Sequence, residues 1–238
     1  MAVGTEIDQL HEQLVELANA QFETPEYRKL TSVHFTRESG QLFEVQRAHF
    51  VVNRRDCWGF AQGAAPLEVK RLIWAHEQEE LMGAHGVPDH ITLGMQEAEV
   101  LGMPQTEFER IQPTPIAQTC FWAWINIVKG RPWLESIASC SILEWVVSDD
   151  IIRGGGIVRR ISQRMHEDLG IPLKEQPTNA VHVVADLEHA NLLVTVVRKY
   201  GQTEDAREAI LRGARNSLLI ERVFRGHLAD IIAGDYRL

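Results

Sequence analysis

The sequence predicts an all-α protein built as a single helical bundle. Apolar residues recur with the 3.6-residue period of an α-helix through most of the 238 residues. The breaks between these stretches are short and carry glycine or proline, and no pattern typical of a β-hairpin is present. We therefore expect one domain over residues 1–238, with a core of about 30–232 and an amphipathic helix over 1–25 packed on it.

The individual helices follow from the spacing of their apolar residues. Ile7, Leu10, Leu14 and Leu17 lie on one face of an amphipathic opening helix. Further helices are predicted over about 38–61, 67–81, 89–101, 105–111, 116–129, 132–152, 157–169, 178–200 and 203–232.

Glycine and proline set the limits of these helices. Gly83, Gly86 and Pro88 interrupt the chain before a new helix restarts near Asp89. Gly201 ends the helix predicted over 178–200, because glycine is the residue that most readily ends a helix. None of these breaks is long enough to act as a linker between domains.

Composition narrows the function. The formal net charge of −9 disfavours binding to nucleic acid or to an anionic membrane. The three cysteines are too widely spaced for a zinc ribbon or a redox pair, so we expect buried, reduced thiols. The N-terminus has acidic residues and no apolar signal core, which predicts a soluble, cytoplasmic protein.

The most informative motif is the run NAVHVVADLEHANLL, which contains His182, Asp186 and His189. At about 100° per residue, offsets of four and seven bring the three side chains to nearly the same direction on a helix. Two imidazoles and a carboxylate on one helical face form a set of ligands for a transition metal. A solvated helix face is the alternative, but the apolar residues around the three disfavour it.

Three further residues complete the predicted metal site. Glu144 lies in an otherwise apolar helix, where a carboxylate is costly unless it is paired or bound to a cation. Glu80 ends one helix and His90 begins the next, and the glycine and proline break between them lets the two converge. Glu77 and Glu79 are rivals for the role of Glu80. Three histidines and three carboxylates without a thiolate suit iron or manganese rather than structural zinc.

At these six positions the chain resembles the heme-oxygenase-like diiron oxidases and oxygenases, an iron-containing redox enzyme family. The resemblance covers roughly residues 30–230 and rests on the Glu/His pair, the mid-bundle Glu and the C-terminal His-x3-Asp-x2-His element, in the family's order. The chain departs from some relatives in one respect. It has Arg54 in the stretch where those relatives add a further carboxylate ligand.

The resemblance implies a seven-helix bundle shaped like heme oxygenase, without heme. It implies two Fe(II)/Fe(III) ions, dioxygen as cosubstrate and an external reductant. Glu80, His90 and His182 would hold one iron, and Glu144, Asp186 and His189 the other. No catalytic residue beyond these ligands is implied, and a mononuclear enzyme that uses only the first ligand set stays open.

Family members oxidise amines, amino acids or fatty acids by N-oxygenation, C–C cleavage, desaturation or rearrangement. We expect an amino acid or another small amine or carboxylate as the substrate here. His76, one turn before Glu80, is expected to support the metal ligands. Trp122 is expected to line an apolar cavity and Arg153 to hold a carboxylate. The family and the long apolar helices also make a homodimer an expected assembly.

The main alternative is a cofactor-free member of the same fold. Such a protein would be a thiaminase-like hydrolase or a small-molecule binding protein. Cys120 and Cys140 are the candidate nucleophiles for the hydrolase, but nothing near them in the sequence would activate a thiol.

Overall fold

The prediction of an all-α fold is confirmed. The computed structural model describes residues 3–84, 86–181 and 191–236, and of residue 3 only the backbone. Within these ranges the regular structure is helical apart from one isolated β-bridge between Ala84 and Val87. No helix in these ranges combines the length and the apolar character that crossing a membrane requires.

The number of seven helices, which the family resemblance implies, is wrong, because the described residues form twelve α-helices. The difference comes from short helices such as α2, which the periodic pattern does not reveal. In chain order the helices are α1 Val3–Gln21, α2 Pro25–Ser32, α3 Arg37–Ala64, α4 Leu67–Met82, α5 His90–Val100, α6 Gln105–Phe108, α7 Pro115–Gly130, α8 Trp133–Val147, α9 Ile157–Leu169, α10 over 177–181, α11 Asn191–Tyr200 and α12 Glu204–Ala233.

Polar side chains begin several of these helices by capping their free backbone N–H groups. The Thr36 side chain accepts a hydrogen bond from the Ser39 N–H at the start of α3, and the Ser39 side chain accepts one from the Thr36 N–H. Asp89 accepts hydrogen bonds from the N–H groups of Ile91 and Thr92 at the start of α5. The beginning of α5 is therefore fixed at His90.

The core is built around α8, which packs chiefly against α12. Helix α8 is buried on nearly its whole circumference, as expected of a central helix. The two backbones lie close together at Gly213 of α12, where a Cβ atom would lie 2.1 Å from the carbonyl oxygen of Glu135. Helix α1 joins the same core through Leu10 and Leu14, which are fully buried.

Helix α3 carries charged residues into the interior. The Arg47 guanidinium lies 2.7 Å from the carboxylate of Glu44 and 3.6 Å from that of Glu97, and it donates a hydrogen bond of 2.7 Å to the Asn179 side chain. Burial raises the pKa of Glu44 from 4.5 to about 8, although Arg47 opposes the shift. Glu44 therefore holds its proton at neutral pH in the folded protein.

We expect Gly213→Ala to lower the free energy of unfolding by about 1–3 kcal/mol, because α8 and α12 would have to separate to admit the methyl group. Urea denaturation followed by circular dichroism measures the change. Gly59→Ala is the matched control, since a Cβ atom at this exposed helical position meets nothing within 4 Å. It should be neutral or stabilising. Equal effects of the two substitutions would contradict the close approach at Gly213.

We expect the free energy of unfolding to fall by a few kcal/mol between pH 5 and about pH 8, because the folded protein keeps the Glu44 proton and the unfolded chain releases it. Glu44→Gln removes this proton exchange, so the variant should lose less stability over the same range and be the more stable protein above about pH 8. Urea midpoints at three pH values measure this. Glu38→Gln, at an exposed position of the same helix, should keep the wild-type slope.

Candidate metal centre

The buried face of α4 changes from apolar to polar along its length. Val69 and Ile73 are followed on the same face by His76 and Glu80, and all four side chains are buried. The spacing of four places the imidazole and the carboxylate one above the other, with His76 Nε2 3.9 Å from Glu80 Oε1. The sequence pattern that predicts an apolar stripe thus brings two potential metal ligands into the bundle.

A reversal of the chain after α4 brings His90 to Glu80. Gly83 has a φ of +72°, and a Cβ atom there would lie 2.2 Å from the carbonyl oxygen of Val87, so only glycine fits. Helix α5 then begins at His90, whose Nδ1 lies 2.8 Å from Glu80 Oε2. The two residues therefore meet, as the break between the two helices led us to expect.

Glu144 reaches the same place from α8. Its Oε1 lies 3.9 Å from His76 Nε2, so this imidazole nitrogen is equally far from the carboxylates of Glu80 and Glu144. We call His76, Glu80, His90 and Glu144 the carboxylate–imidazole cluster. Three helices supply its members, and only Glu144 keeps appreciable exposure, at 14% of its side chain.

Two neighbouring arginines of α3 balance the charge of this cluster. Arg55 forms an ion pair with Glu80, and Arg54 donates a hydrogen bond of 3.0 Å to Glu144 and one of 2.6 Å to the carbonyl oxygen of Cys140. Burial alone would raise the pKa of Glu80, but the Arg55 guanidinium and His90 hold this pKa well below its usual range. Glu80 is therefore an ionised carboxylate inside the protein.

The rival glutamates have other surroundings. Glu77 lies 3.0 Å from His76 Nδ1 and 3.4 Å from the Arg55 guanidinium. Glu79 lines a cavity of about 220 Å³ between α4 and α11, which it shares with His76 and Asn191. Of the three acidic residues, Glu80 is the one in contact with His90.

The other predicted ligands, His182, Asp186 and His189, lie outside the described residues. Within the described part of the chain, no group of three histidine, cysteine or acidic side chains is arranged to hold a metal ion. The donor chemistry of the cluster nevertheless fits iron, since it combines two carboxylates with two imidazoles and contains no thiolate. The arginines supply the positive charge that buried carboxylates require.

Trp122 and Arg153 do not belong to this cluster, and both predictions need correction. Trp122 points away from the buried face of α7 and is 66% exposed. The Arg153 side chain is 69% exposed and forms a two-pronged ion pair with Glu16 of α1. A surface position lets each side chain keep its polar or charged part in water.

The cysteines lie in surroundings that keep them protonated. Cys57, Cys120 and Cys140 are all buried free thiols. Burial raises the pKa of Cys120 and of Cys140 to about 11, although Arg54 partly opposes the shift for Cys140. Thiols with such pKa values are poor nucleophiles at neutral pH, because the thiolate is the reactive form.

The ion pairs of Arg55 with Glu80 and of Arg54 with Glu144 were not predicted from the sequence. Both arginines lie in a run of polar residues, Asn53-Arg54-Arg55-Asp56, which is typical of a solvent-exposed turn of a helix. A usable signal was present in the spacing. Arg54 lies eleven residues after Phe43 and seven after Arg47, which places it on the buried face of α3.

Comparisons with known proteins agree on the fold. A CADD-like protein of unknown function from Nostoc punctiforme PCC 73102 superposes with a TM-score of 0.73 at 19% identity, over 96% of this chain and 99% of that chain. A domain of unknown function with a heme oxygenase-like fold from Shewanella denitrificans OS217 gives 0.74 at 12% identity, over 96% and 92%. A TenA homologue from P. horikoshii OT3 gives 0.59 at 13% identity, over 95% and 100%.

At these identities the likeness shows the fold alone, which is heme oxygenase-like. The search of the curated proteins found no match. A family model described as iron-containing redox enzyme matches residues 41–222, which include helices α4, α5 and α8. Because this match spans well over half of the sequence, the chain belongs to the iron-containing redox enzyme family.

Proposed function

We propose that this protein is an O2-dependent non-heme diiron oxidoreductase that oxidises a small amine or carboxylate such as an amino acid. The contact between Glu80 and His90, with Glu144 and His76 beside it, is the observation that carries the proposal. A buried pair of carboxylates with imidazole partners is the donor set that iron takes in oxygen-activating proteins. Membership of an iron-containing redox family supports this choice of metal.

In this proposal Glu80, His90 and His182 hold one iron, and Glu144, Asp186 and His189 hold the other. The iron pair supplies the electrons and the binding site for dioxygen, and an external reductant restores them. His76 lies between Glu80 and Glu144 and orients both carboxylates. Its Nδ1 is 3.0 Å from Glu77, a hydrogen bond that fixes the orientation of the ring.

Arg54 and Arg55 hold the carboxylates in place by charge. The guanidinium of each pairs with one carboxylate of the cluster, Arg54 with Glu144 and Arg55 with Glu80. Iron ions held by these carboxylates would compete with the arginines for the same oxygen atoms. The carbonyl oxygen of Cys140 already serves Arg54 as a second acceptor.

The cofactor-free hydrolase is less well supported. A thiaminase-like reaction through Cys120 or Cys140 requires a thiolate, and burial raises the pKa of both thiols to about 11. Burying two carboxylates and two imidazoles also has a desolvation cost, and a reaction through these thiols would give the cluster no role.

Iron binding tests the proposal directly. Anaerobic addition of ferrous iron, removal of unbound metal and metal analysis should give two irons per chain for the wild type. We expect His90→Ala to retain one iron or fewer and His189→Ala to lose oxygen consumption in the presence of a reductant, because each removes a ligand. His166→Ala, at an exposed position in the last turn of α9, is the control and should behave as the wild type.

Two results would contradict the proposal. The first is that the wild type binds no ferrous iron above the level of the His90→Ala variant. The second is that His189→Ala consumes oxygen as fast as the wild type. One iron per chain in the wild type, lost in His90→Ala, would replace the diiron enzyme by a mononuclear one.

A further inference from the structure

A second internal cavity, of about 60 Å³, lies between α3, α8, α9 and α12. Apolar side chains form most of its wall, including Phe50, Val51 and Val147. Two buried arginines, Arg47 and Arg225, also line it. None of the described residues of the wall is acidic. The cavity thus combines an apolar surface with hydrogen-bond donors that carry positive charge.

Arg225 is the arginine with unused donors. The side chain is 6% exposed, and within the described part of the chain its one side-chain hydrogen bond runs from Nε to Glu221 Oε1, at 3.1 Å. The guanidinium lies over the ring of Phe50, 5.4 Å from its centroid, which fixes its plane beside the cavity. Among the described residues, no ion pair or hydrogen bond to an acidic side chain involves the two terminal nitrogens, which carry four N–H groups.

Three buried glutamates, Glu44, Glu97 and Glu221, lie near the two arginines. Glu97 accepts hydrogen bonds from the Thr178 N–H at 2.7 Å and from the Asn179 side chain at 2.8 Å. Burial raises the pKa of Glu44 to about 8 and also raises that of Glu221, although Arg47 and Arg225 oppose these shifts. Protonation of Glu44 leaves the Arg47 guanidinium with less negative charge beside it than the number of neighbouring glutamates suggests.

The cavity lies next to the carboxylate–imidazole cluster along two helices. Val147 follows Glu144 by three residues on α8, and Val51 precedes Arg54 by three residues on α3, so each pair is separated by about one helical turn. Arg47 lies seven residues before Arg54, which corresponds to about 10 Å along the helix. Phe50, Val51 and Val147, between the two ends, are only partly buried.

We infer that this cavity binds the carboxylate group of an apolar monocarboxylate at Arg225 and Arg47, with the carbon chain along Phe50, Val51 and Val147 and its far end toward Glu144. Arginine binds carboxylates in the bidentate manner that two parallel N–H groups allow. The cavity volume suits the carboxylate and the first carbons of the chain. An ammonium group here would meet two cations and none of the acceptors it requires.

That the ligand is also the substrate rests on the proposed function. Under that proposal the inference narrows the substrate class from amines and carboxylates to monocarboxylates without a charged amino group. The carboxylate, about 10 Å from the level of Arg54, would not be a metal ligand itself. The oxidised carbon would lie at the other end of the molecule.

Calorimetric titration of the full chain, without added iron and under fixed ionic strength, tests the inference. The probes are hexanoate, 1-hexanol, hexylamine and norleucine, which share a six-carbon chain and differ in charge. We expect hexanoate to bind at least about tenfold more tightly than hexylamine or norleucine. Arg225→Gln should weaken hexanoate binding by about tenfold or more and leave 1-hexanol binding unchanged.

Two further variants keep the test decisive. Arg215→Gln removes an exposed arginine from the same helix and should bind all four probes as the wild type does. Val51→Phe fills the cavity without changing any charge, so it should abolish binding of both hexanoate and 1-hexanol. If Arg225→Gln does not fold, Val51→Phe shows whether hexanoate occupies this cavity. Arg225→Lys then shows whether the carboxylate needs the planar pair of donors, because lysine keeps the charge and lacks that pair.

Several results would overturn the inference. They are the absence of saturable hexanoate binding, hexanoate binding unchanged in Arg225→Gln or Val51→Phe, and norleucine or hexylamine bound as tightly as hexanoate. None of these measurements involves iron or oxygen. A protein that binds hexanoate but no iron would contradict the proposed function alone, and one that binds iron but no hexanoate would contradict this inference alone.

Discussion

The structure depends on placing ionised groups inside a helical bundle and balancing them there. Helix α3 does this twice, with Arg47 beside Glu97 and with Arg54 and Arg55 beside Glu144 and Glu80. Replacing a buried ion pair by apolar residues is often neutral or stabilising, so such pairs are poorly explained by stability alone. Removing one partner is costly, because the other charge stays buried. The position of α3 is therefore tied to the position of the charges on α4, α5 and α8.

This constraint explains why polar groups occur where an ordinary core would be apolar. Along α4 the residues Val69 and Ile73 pack like any core residues, whereas His76 and Glu80 continue the same face. In a bundle without a functional site, leucine at these two positions would give a larger free energy of unfolding. The protein keeps an imidazole and a carboxylate there and surrounds them with matching groups. Functional sites are the places where such departures from good core packing are expected.

The fold was largely predictable from the sequence, because the helices show a regular spacing of apolar residues and are separated by glycine and proline. The break at Gly83 led to the contact between Glu80 and His90, which no periodicity alone would predict. The eight-residue helix α2 was missed, since it is too short to show a period. Trp122 was misplaced because large aromatic residues are buried on average, whereas this one lies on the exposed face of α7.

The candidate site was predictable only in part. Residue type and spacing identify possible ligands, but the partner of a charged side chain depends on which helices touch. Arg55 and Arg225 look in the sequence like the exposed arginines of any amphipathic helix. Both are oriented by contacts made far along the chain or by packing against rings such as Phe50. Such contacts follow from the tertiary structure and leave no local pattern.

The reversal between α4 and α5 has a consequence for how the site is assembled. Glu80 and His90 are ten residues apart, so closing the loop between them costs little chain entropy, and the turn at Gly83 sets its direction. Glu144 must instead be delivered by a helix more than fifty residues further along. Three of the four members of the cluster are thus brought together within fifteen residues of the chain. Glu144 joins them only when distant helices dock, so errors of docking would affect its position first.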